Sequence, residues 1–249
     1  MRVLERLFAI ILVVLSGGVL LANGEQAPRT HAEAADRLPG APPELLRQSI
    51  LAFFEPRESC TVEVVTGSAA DTLQGRFAKL SLRALSTTVK GMPIQSATID
   101  LIDFAVDLPL LRSEGKIRVF SAADLSYSIA VTEQGLNWLI SGKKKLGKER
   151  PPRLELRDGE VVLDGYLRAG LFNSAFRLKG TLKPMREREV HFIPDQVNVG
   201  WLPLPGFLMD VVAGRLNPIA TLEKLMELQR CNVKIRDVIV SPGRMVVTG

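Results

Sequence analysis

Two hydrophobic periods divide the chain. Leu45, Leu46, Ile50, Phe53 and Phe54 recur at helical spacing until Pro56 stops the run. From Thr61 the period shortens toward two. Leu80, Leu82 and Ala84 alternate with Lys79, Ser81 and Arg83; Ile102, Phe104, Val106 and Leu108 alternate with Asp103, Ala105 and Asp107; Leu125, Tyr127, Ile129 and Val131 alternate with Ser126, Ser128 and Ala130. This alternation predicts half-buried strands. The phase slips between Ile99 and Ile102, because Ile99 and Leu101 share a face that Ile102 leaves, and a bulge or bend in a curved sheet accounts for the slip.

A second set of strands follows. "LELRDGEVVLDGYL" reads as a hairpin turning at Asp158 and Gly159. "FRLKGTLK" sets Phe176, Leu178, Gly180 and Leu182 against Arg177, Lys179, Thr181 and Lys183, and "NVKIRDVIVSPGRMVVTG" gives two strands around Ser241 to Arg244. Helices are few. "TEQGLNWLIS" carries Leu136, Leu139 and Ile140 at helical spacing, with Thr132 as N-cap and Gly142 as stop. "LPGFLMDVVAGRLNPIATLEKLMELQ" is apolar along much of its length, breaks near Asn217 and Pro218, and then places Ile219, Leu222, Leu225, Met226 and Leu228 in one stripe.

Roughly ten strands against about four helices give a mostly antiparallel α+β chain. The apolar face of its strands needs a cover, and a second sheet, the few helices and a bound apolar ligand are the candidates; a long twisted sheet wrapped around one long C-terminal helix would leave an apolar groove.

At the N-terminus Arg2 and Arg6 precede an uncharged stretch from Leu7 to Gly24. That order predicts a signal peptide over residues 1–24, with Ala22 and Gly24 as the small residues before a cut near Glu25. An uncleaved anchor is the alternative, since the stretch approaches the length needed to span a bilayer. Both place the folded part outside the cytoplasm, in the periplasm or its equivalent. Residues 25–43, rich in Ala and Pro, read as a flexible leader, and residues 44–249 as a single domain. Export changes the reading of the two cysteines, Cys60 and Cys231: a disulfide between them and a pair of buried thiols both remain open.

Charge is concentrated. The formal net charge is +5, and residues 143–153 hold Lys143, Lys144, Lys145, Lys148, Arg150 and Arg153 against Glu149 alone. An excess confined to one short run, without interleaved aromatics, does not describe a nucleic-acid-binding face. The run follows Trp138 closely, so it reads either as a solvated loop favoured by the preceding helix dipole or as a place that meets an anionic, apolar surface.

Catalytic and cofactor motifs are missing from the sequence: it has no Gly-x-Ser-x-Gly elbow, no His-Glu-x-x-His and no phosphate-binding glycine loop. Of the two histidines, His31 falls in the leader and His191 on a strand. Asp100, Asp103 and Asp107 in "TIDLIDFAVD" suggest a metal site, but Asp103 and Asp107 share the polar face of an alternating strand, where solvated carboxylates belong. The expectation is a binding protein without metal or cofactor rather than an enzyme.

Two segments resemble a known family. "TEQGLNWLI" is similar to its Thr, acidic, Leu-Asn, Leu segment after a strand. "RLNPIATLEKL" followed by "VKIRDVIVSPGRMVVTG" resembles its closing pattern of Leu-Asn-Pro, a short helix, a strand, a turn and a last strand ending in Gly. The family is that of the LmeA-like phospholipid-binding proteins, exported bacterial proteins related to the tubular lipid-binding (TULIP) domains.

The resemblance implies a sheet wrapped around a helix and acyl chains held in the groove between them. Leu136, Trp138 and Leu139 would stand at the groove opening, with Lys143, Lys144, Lys145 and Lys148 against phosphates or an anionic membrane surface. "GWLPLPGFLMDVV" reads either as a second apolar rim through Trp201, Leu202, Leu204, Phe207 and Leu208 or as the entry of a helix into the core. The competing expectation is a structural envelope protein that packs the same sheet without a cavity and binds another protein.

Overall fold

The computed structural model describes residues 40–89, 91–141, 153–169, 172–200, 202–203, 217, 220–221 and 233–249. Helix α1 (Pro42–Leu51) begins on proline, whose missing N–H would have no helical partner there, and buries Leu45, Leu46 and Ile50. It starts inside the stretch read as leader and ends at Leu51, ahead of the stop expected from Pro56. Phe54 has therefore left the helix: it opens β1 (Phe54–Glu55), which pairs with Val89 and Thr88.

Strands β2 (Cys60–Val65), β3 (Arg76–Val89), β4 (Met92–Val106) and β5 (Val119–Thr132) follow, with the short helices α2 (Ala69–Leu73) and α3 (Leu108–Glu114) in their connections. Helix α4 (Glu133–Ser141) continues directly from β5. The chain then forms β6 (Arg153–Leu156), β7 (Val161–Ala169), β8 (Phe172–Met185), β9 (Glu189–Val199), β10 (Leu202–Pro203), β11 (Ala220–Thr221), β12 (Asp237–Ser241) and β13 (Arg244–Thr248).

These strands make two antiparallel sheets instead of one. Sheet A has the order β1-β3-β4-β5-β13-β12, with β2 also on β3; sheet B has the order β10-β9-β8-β7-β6, with β11 also on β9. Among the described residues the sheets do not close into a barrel, but they meet. Gly159 N–H donates to the Val240 carbonyl (3.0 Å), Gly243 N–H to Leu156 (3.1 Å) and Ile235 N–H to Glu187 (2.6 Å). One core lies between them, built from Leu82, Ile99, Ile129 and Met245 of sheet A, Leu178, Leu182, Phe192 and Val197 of sheet B, Leu46 of α1 and Leu136 of α4.

The phase slip read from the sequence is present and has a partner. In β4 the buried set passes from Met92 and Ile94 to Ala97, Ile99 and Leu101, then to Phe104 and Val106. In β3 it passes from Phe77 to Leu80, Leu82 and Ala84, then to Thr87 and Val89. Both strands change face together, with Asp103 (φ 45°) at one change and Ser86 (φ 48°) at the other. A non-glycine residue in the left-handed region rotates the strand without shifting its register. The second change was hidden because the apolar Leu85 beside it is exposed.

Other expectations need correcting. Asp107 is not on a strand: β4 ends at Val106, and the Asp107 carboxylate caps α3 by accepting from Leu110 N–H (3.0 Å). Ala130 is buried although it alternates with apolar residues. Residues 233–236, read as strand, are not one, although Val233 and Ile235 are buried. The long C-terminal helix is not part of the described architecture. Most of the stretch expected to form it, 204–216 and 222–230, lies outside the described residues, and within it Ala220 and Thr221 pair as a strand with Val190 and Glu189. That pairing commits the backbone of 220–221 to sheet B, so the helical stripe expected from Ile219 onward is interrupted there.

Candidate functional site

Helix α4 joins the two sheets. Thr132, the last residue of β5, caps it as expected, its Oγ1 accepting from Gly135 N–H (3.1 Å). Glu133 and Asn137 stand one turn apart and so share a face, which they turn to the edge of sheet B. The Glu133 carboxylate accepts from Leu156 N–H (2.9 Å). Asn137 Oδ1 accepts from Leu154 N–H and its Nδ2 donates to the Leu154 carbonyl, both at 2.7 Å. The side-chain amide thus takes the place of a neighbouring strand on β6, the last strand of the sheet.

The opposite edge uses the same device. Asn217 Oδ1 accepts from Phe192 N–H (2.7 Å) and its Nδ2 donates to the Phe192 carbonyl (2.8 Å). Its neighbours along β9 are two very short strands: β11 at Glu189–Val190 and β10 at Asn198–Val199. A side-chain amide suits this pair of bonds, because it presents a donor and an acceptor side by side. Both asparagines belong to the Leu-Asn segments that carried the family resemblance.

Between these edges, the inner face of sheet B changes character along its length. Val161, Leu178, Leu182, Val190, Phe192 and Val197 are buried. Leu154, Leu163 and Phe176 pack against that core but stay half-buried, as does Val199. They form one strip, since Leu154 pairs with Leu163 and Phe176 pairs with Gly165 on one side and Val199 on the other. The strip carries no titratable group, so its chemistry is that of apolar contact.

The outer face of the same sheet is polar. Arg177 makes two bonds to Asp164 (2.7 and 2.8 Å), and these hold the Asp164 carboxyl below its ordinary range. Lys179 pairs with Glu160 (2.8 Å). His191 lies on β9, as read from the sequence, with Nε2 2.6 Å from a Glu189 carboxylate oxygen.

The residues expected to form the rim separate. Leu136 is only 2% exposed: it points into the core rather than standing at an opening, because it occupies the face of α4 that looks between the sheets. Trp138, two positions on, is 43% exposed and lies over Gly91 in the β3–β4 turn. The backbone of Leu139 is in α4, and its side chain lies outside the described set, as do Lys143, Lys144, Lys145, Lys148, Trp201, Leu204, Phe207 and Leu208. Leu202, of the second expected rim, is described and is 53% exposed.

Cys60 is a buried free thiol whose burial pushes its pKa up to about 11; Cys231 lies outside the described residues. The aspartates proposed and then set aside as a metal site are dispersed. Asp100 is tied to Arg83 (2.8 Å) and Ser81 (2.7 Å), Asp107 caps α3, and Asp103 is exposed.

Sequence reading missed the strip and the two asparagine bridges. A signal for each existed: glycines at inward positions 165 and 180 mark places where a neighbouring ring lies over the strand, and Leu-Asn occurs in both family-like segments.

The closing Gly249 also finds its reason. A Cβ there would meet the Lys234 carbonyl at 2.0 Å and the Tyr127 ring at 2.3 Å, while its N–H and carbonyl both pair with Tyr127. No curated protein and no solved structure matches the chain. The family model for LmeA-like phospholipid-binding proteins matches residues 48–249, which takes in both sheets and both asparagine bridges. The chain belongs to the LmeA-like phospholipid-binding family.

Proposed function

We propose that this protein is an exported carrier that holds one acyl chain of a phospholipid along the half-buried strip of sheet B, in service of envelope maintenance. The observation that carries the reading is the contrast on a single inner face: Leu154, Leu163, Phe176 and Val199 remain half-buried beside residues that are fully buried. An apolar face left partly open within a core is where an acyl chain gains most, at about 0.8 kcal/mol for each methylene it buries.

The head group lies toward the β6 edge. There α4 meets β6 through Glu133 and Asn137, and the basic run begins just past the helix. Lys143, Lys144, Lys145 and Lys148 contact phosphates, each contributing about 1 kcal/mol near an anionic surface. Residues 1–24 direct export, which also agrees with the lack of catalytic motifs and with binding as the protein's task.

The test is native mass spectrometry of the chain from residue 25, purified without detergent, followed by organic extraction and lipid identification. Co-purifying phospholipid in near-stoichiometric amount is the expected result. A mass equal to that of the bare polypeptide, unchanged after incubation with anionic liposomes, overturns the reading in favour of a structural envelope protein.

A further inference from the structure

We propose that the free edge of β5 takes up an extended, basic segment of another protein as an added strand. Strand β5 runs from Val119 to Thr132, but β13 covers only its last part, pairing with Ser128 to Thr132. The cover ends at Tyr127, whose N–H donates to the Gly249 carbonyl (2.9 Å) and whose carbonyl accepts from Gly249 N–H (3.0 Å). Backbone groups along a strand turn to alternate sides with a period of two, so Leu125 points its N–H and carbonyl to the same side as Tyr127. From Val119 to Ser126 no described residue pairs with β5 on that side. Phe120 is 41% exposed, and Ser121, Ala123 and Asp124 are exposed beside it, so the lane next to them stands open. Other edges are occupied. Helix α1 packs against β2, the Val240 carbonyl of β12 accepts from Gly159, and β6 and β9 carry the asparagine bridges.

A cleft of about 280 Å³ on the outer face of sheet A decides what the incoming strand carries. Its lining includes Arg76, Ala105 and Ser121, which form one cross-strand row over β3, β4 and β5, together with Asp71 and Asp103. Ser121 is the last member of the row and borders the open lane. A residue added opposite it extends the row and sets its side chain beside the cleft. The row of Lys79, Ile102 and Asp124 reaches the lane in the same way.

Cations of this region are already matched: Arg76 with Asp71 (3.8 Å), Lys79 with Asp100 (3.7 Å) and Arg118 with Asp107 (3.6 Å). Asp103 and Asp124 are exposed and pair with no described cation. Two unmatched carboxylates along an open edge favour lysine or arginine on the strand that joins it. A second copy of this chain is the poorer fit, since it sets the same aspartates side by side. Main-chain bonds supply affinity whatever the sequence, and the carboxylates supply selection. The edge belongs to sheet A and the strip to sheet B, so docking here needs no lipid.

The test uses the full chain and labelled, end-blocked heptapeptides: one alternating threonine with lysine, one alternating threonine with glutamate, and the lysine peptide N-methylated at every amide. Fluorescence anisotropy reads binding, hydrogen exchange at the Leu125 amide reads the edge, and sedimentation velocity reads the oligomeric state. The lysine peptide is expected to bind a monomeric chain and to slow exchange at Leu125. The glutamate peptide should bind about tenfold more weakly, and the methylated peptide, which cannot donate to a strand, should not bind. Asp103→Asn and Asp124→Asn should each weaken the lysine peptide by up to about fivefold; asparagine shares the tolerance of aspartate for the left-handed backbone at 103. Failure of the lysine peptide to bind, or binding equal to that of its methylated form, overturns strand addition. Equal binding of the lysine and glutamate peptides overturns the basic partner. A dimer whose Leu125 amide is protected without peptide gives the edge to a second copy, and protection in a peptide-free monomer gives it to another part of this chain; either result overturns the proposal.

Discussion

Along β3 and β4 of sheet A the inward residues are buried from one end to the other, even across the two places where the strands change face. Along β7 and β8 of sheet B burial stops part-way, at Leu163 and Phe176. Both faces alternate apolar and polar residues in the same manner, so hydrophobic pattern does not distinguish them. The edges do. Sheet A ends in backbone pairings, β1 and β2 on β3 and β12 on β13, whereas β6 and β9 are each bridged at one residue by the side chain of an asparagine. An edge covered by a strand continues the ladder, and one bridged by a side chain holds its strand at a single residue.

Core truncation should separate the sheets most. Leu82→Ala, at a residue with 0% exposure, is expected to lower the unfolding free energy by about 2–5 kcal/mol. Leu163→Ala is expected to cost about 1 kcal/mol, because the site is already half open, while sharply reducing retained lipid. Denaturant titration of both variants beside lipid extraction reads the difference. Equal stability losses with unchanged lipid would erase the contrast between the sheets.

Next in size are the asparagine bridges. Asn137→Ala and Asn217→Ala each strip two hydrogen bonds from a strand edge and should cost about 1–3 kcal/mol. Asn137→Asp should be no milder despite its matching shape, because it sets a carboxylate against the Leu154 carbonyl. Hydrogen exchange at the Leu154 and Phe192 amides checks this: faster exchange confined to the bridged residue is expected, and protection unchanged from wild type would show that the bridges are incidental.

Acid should produce the smallest effect and fall on both sheets alike. Burial pushes the Asp100 carboxyl upward, but its hydrogen bonds from Ser81 and Arg83 and the nearby Lys79 win and hold it below the ordinary value. Asp164, on sheet B, is held low by Arg177. A carboxyl whose pKa is depressed on folding contributes stability above its unfolded pKa of about 4, and that contribution is lost as pH falls through the lower folded value. Thermal unfolding of wild type, Asp100→Asn and Asp164→Asn from neutral to strongly acidic pH should therefore show the wild type losing slightly more than either variant. A variant that tracks wild type through that window would remove its aspartate from the account.

The strands were legible because period-two alternation reports directly on which side chains face a core, and this held for Leu80 to Ala84, Leu125 to Ile129 and Phe176 to Leu182. The turn at Asp158 and Gly159 and the Thr132 cap were legible from local chemistry, with Gly159 at φ 69°. Helices α2 and α3 were not, since elements of one or two turns leave no periodic trace. Boundaries failed at Phe54 and Asp107 because an apolar residue after a helix and an aspartate after a strand fit either side of the break. The strip was illegible for a deeper reason. Alternation says which face Leu163 and Phe176 occupy, and nothing about how completely that face is covered.

The asparagine bridges have a consequence for the behaviour of the chain in a crowded compartment. An unpaired strand edge offers its N–H and carbonyl groups as a template on which another chain can add a strand, the first step toward aggregation. At Leu154 and Phe192 those groups are already occupied, by side chains too short to recruit a strand of their own. The bridges therefore act as stoppers against edge-to-edge growth, letting sheet B keep an open inner face without offering sticky edges. Loss of Asn137 or Asn217 should accordingly show first as turbidity at high concentration, before any change in the folded protein's shape.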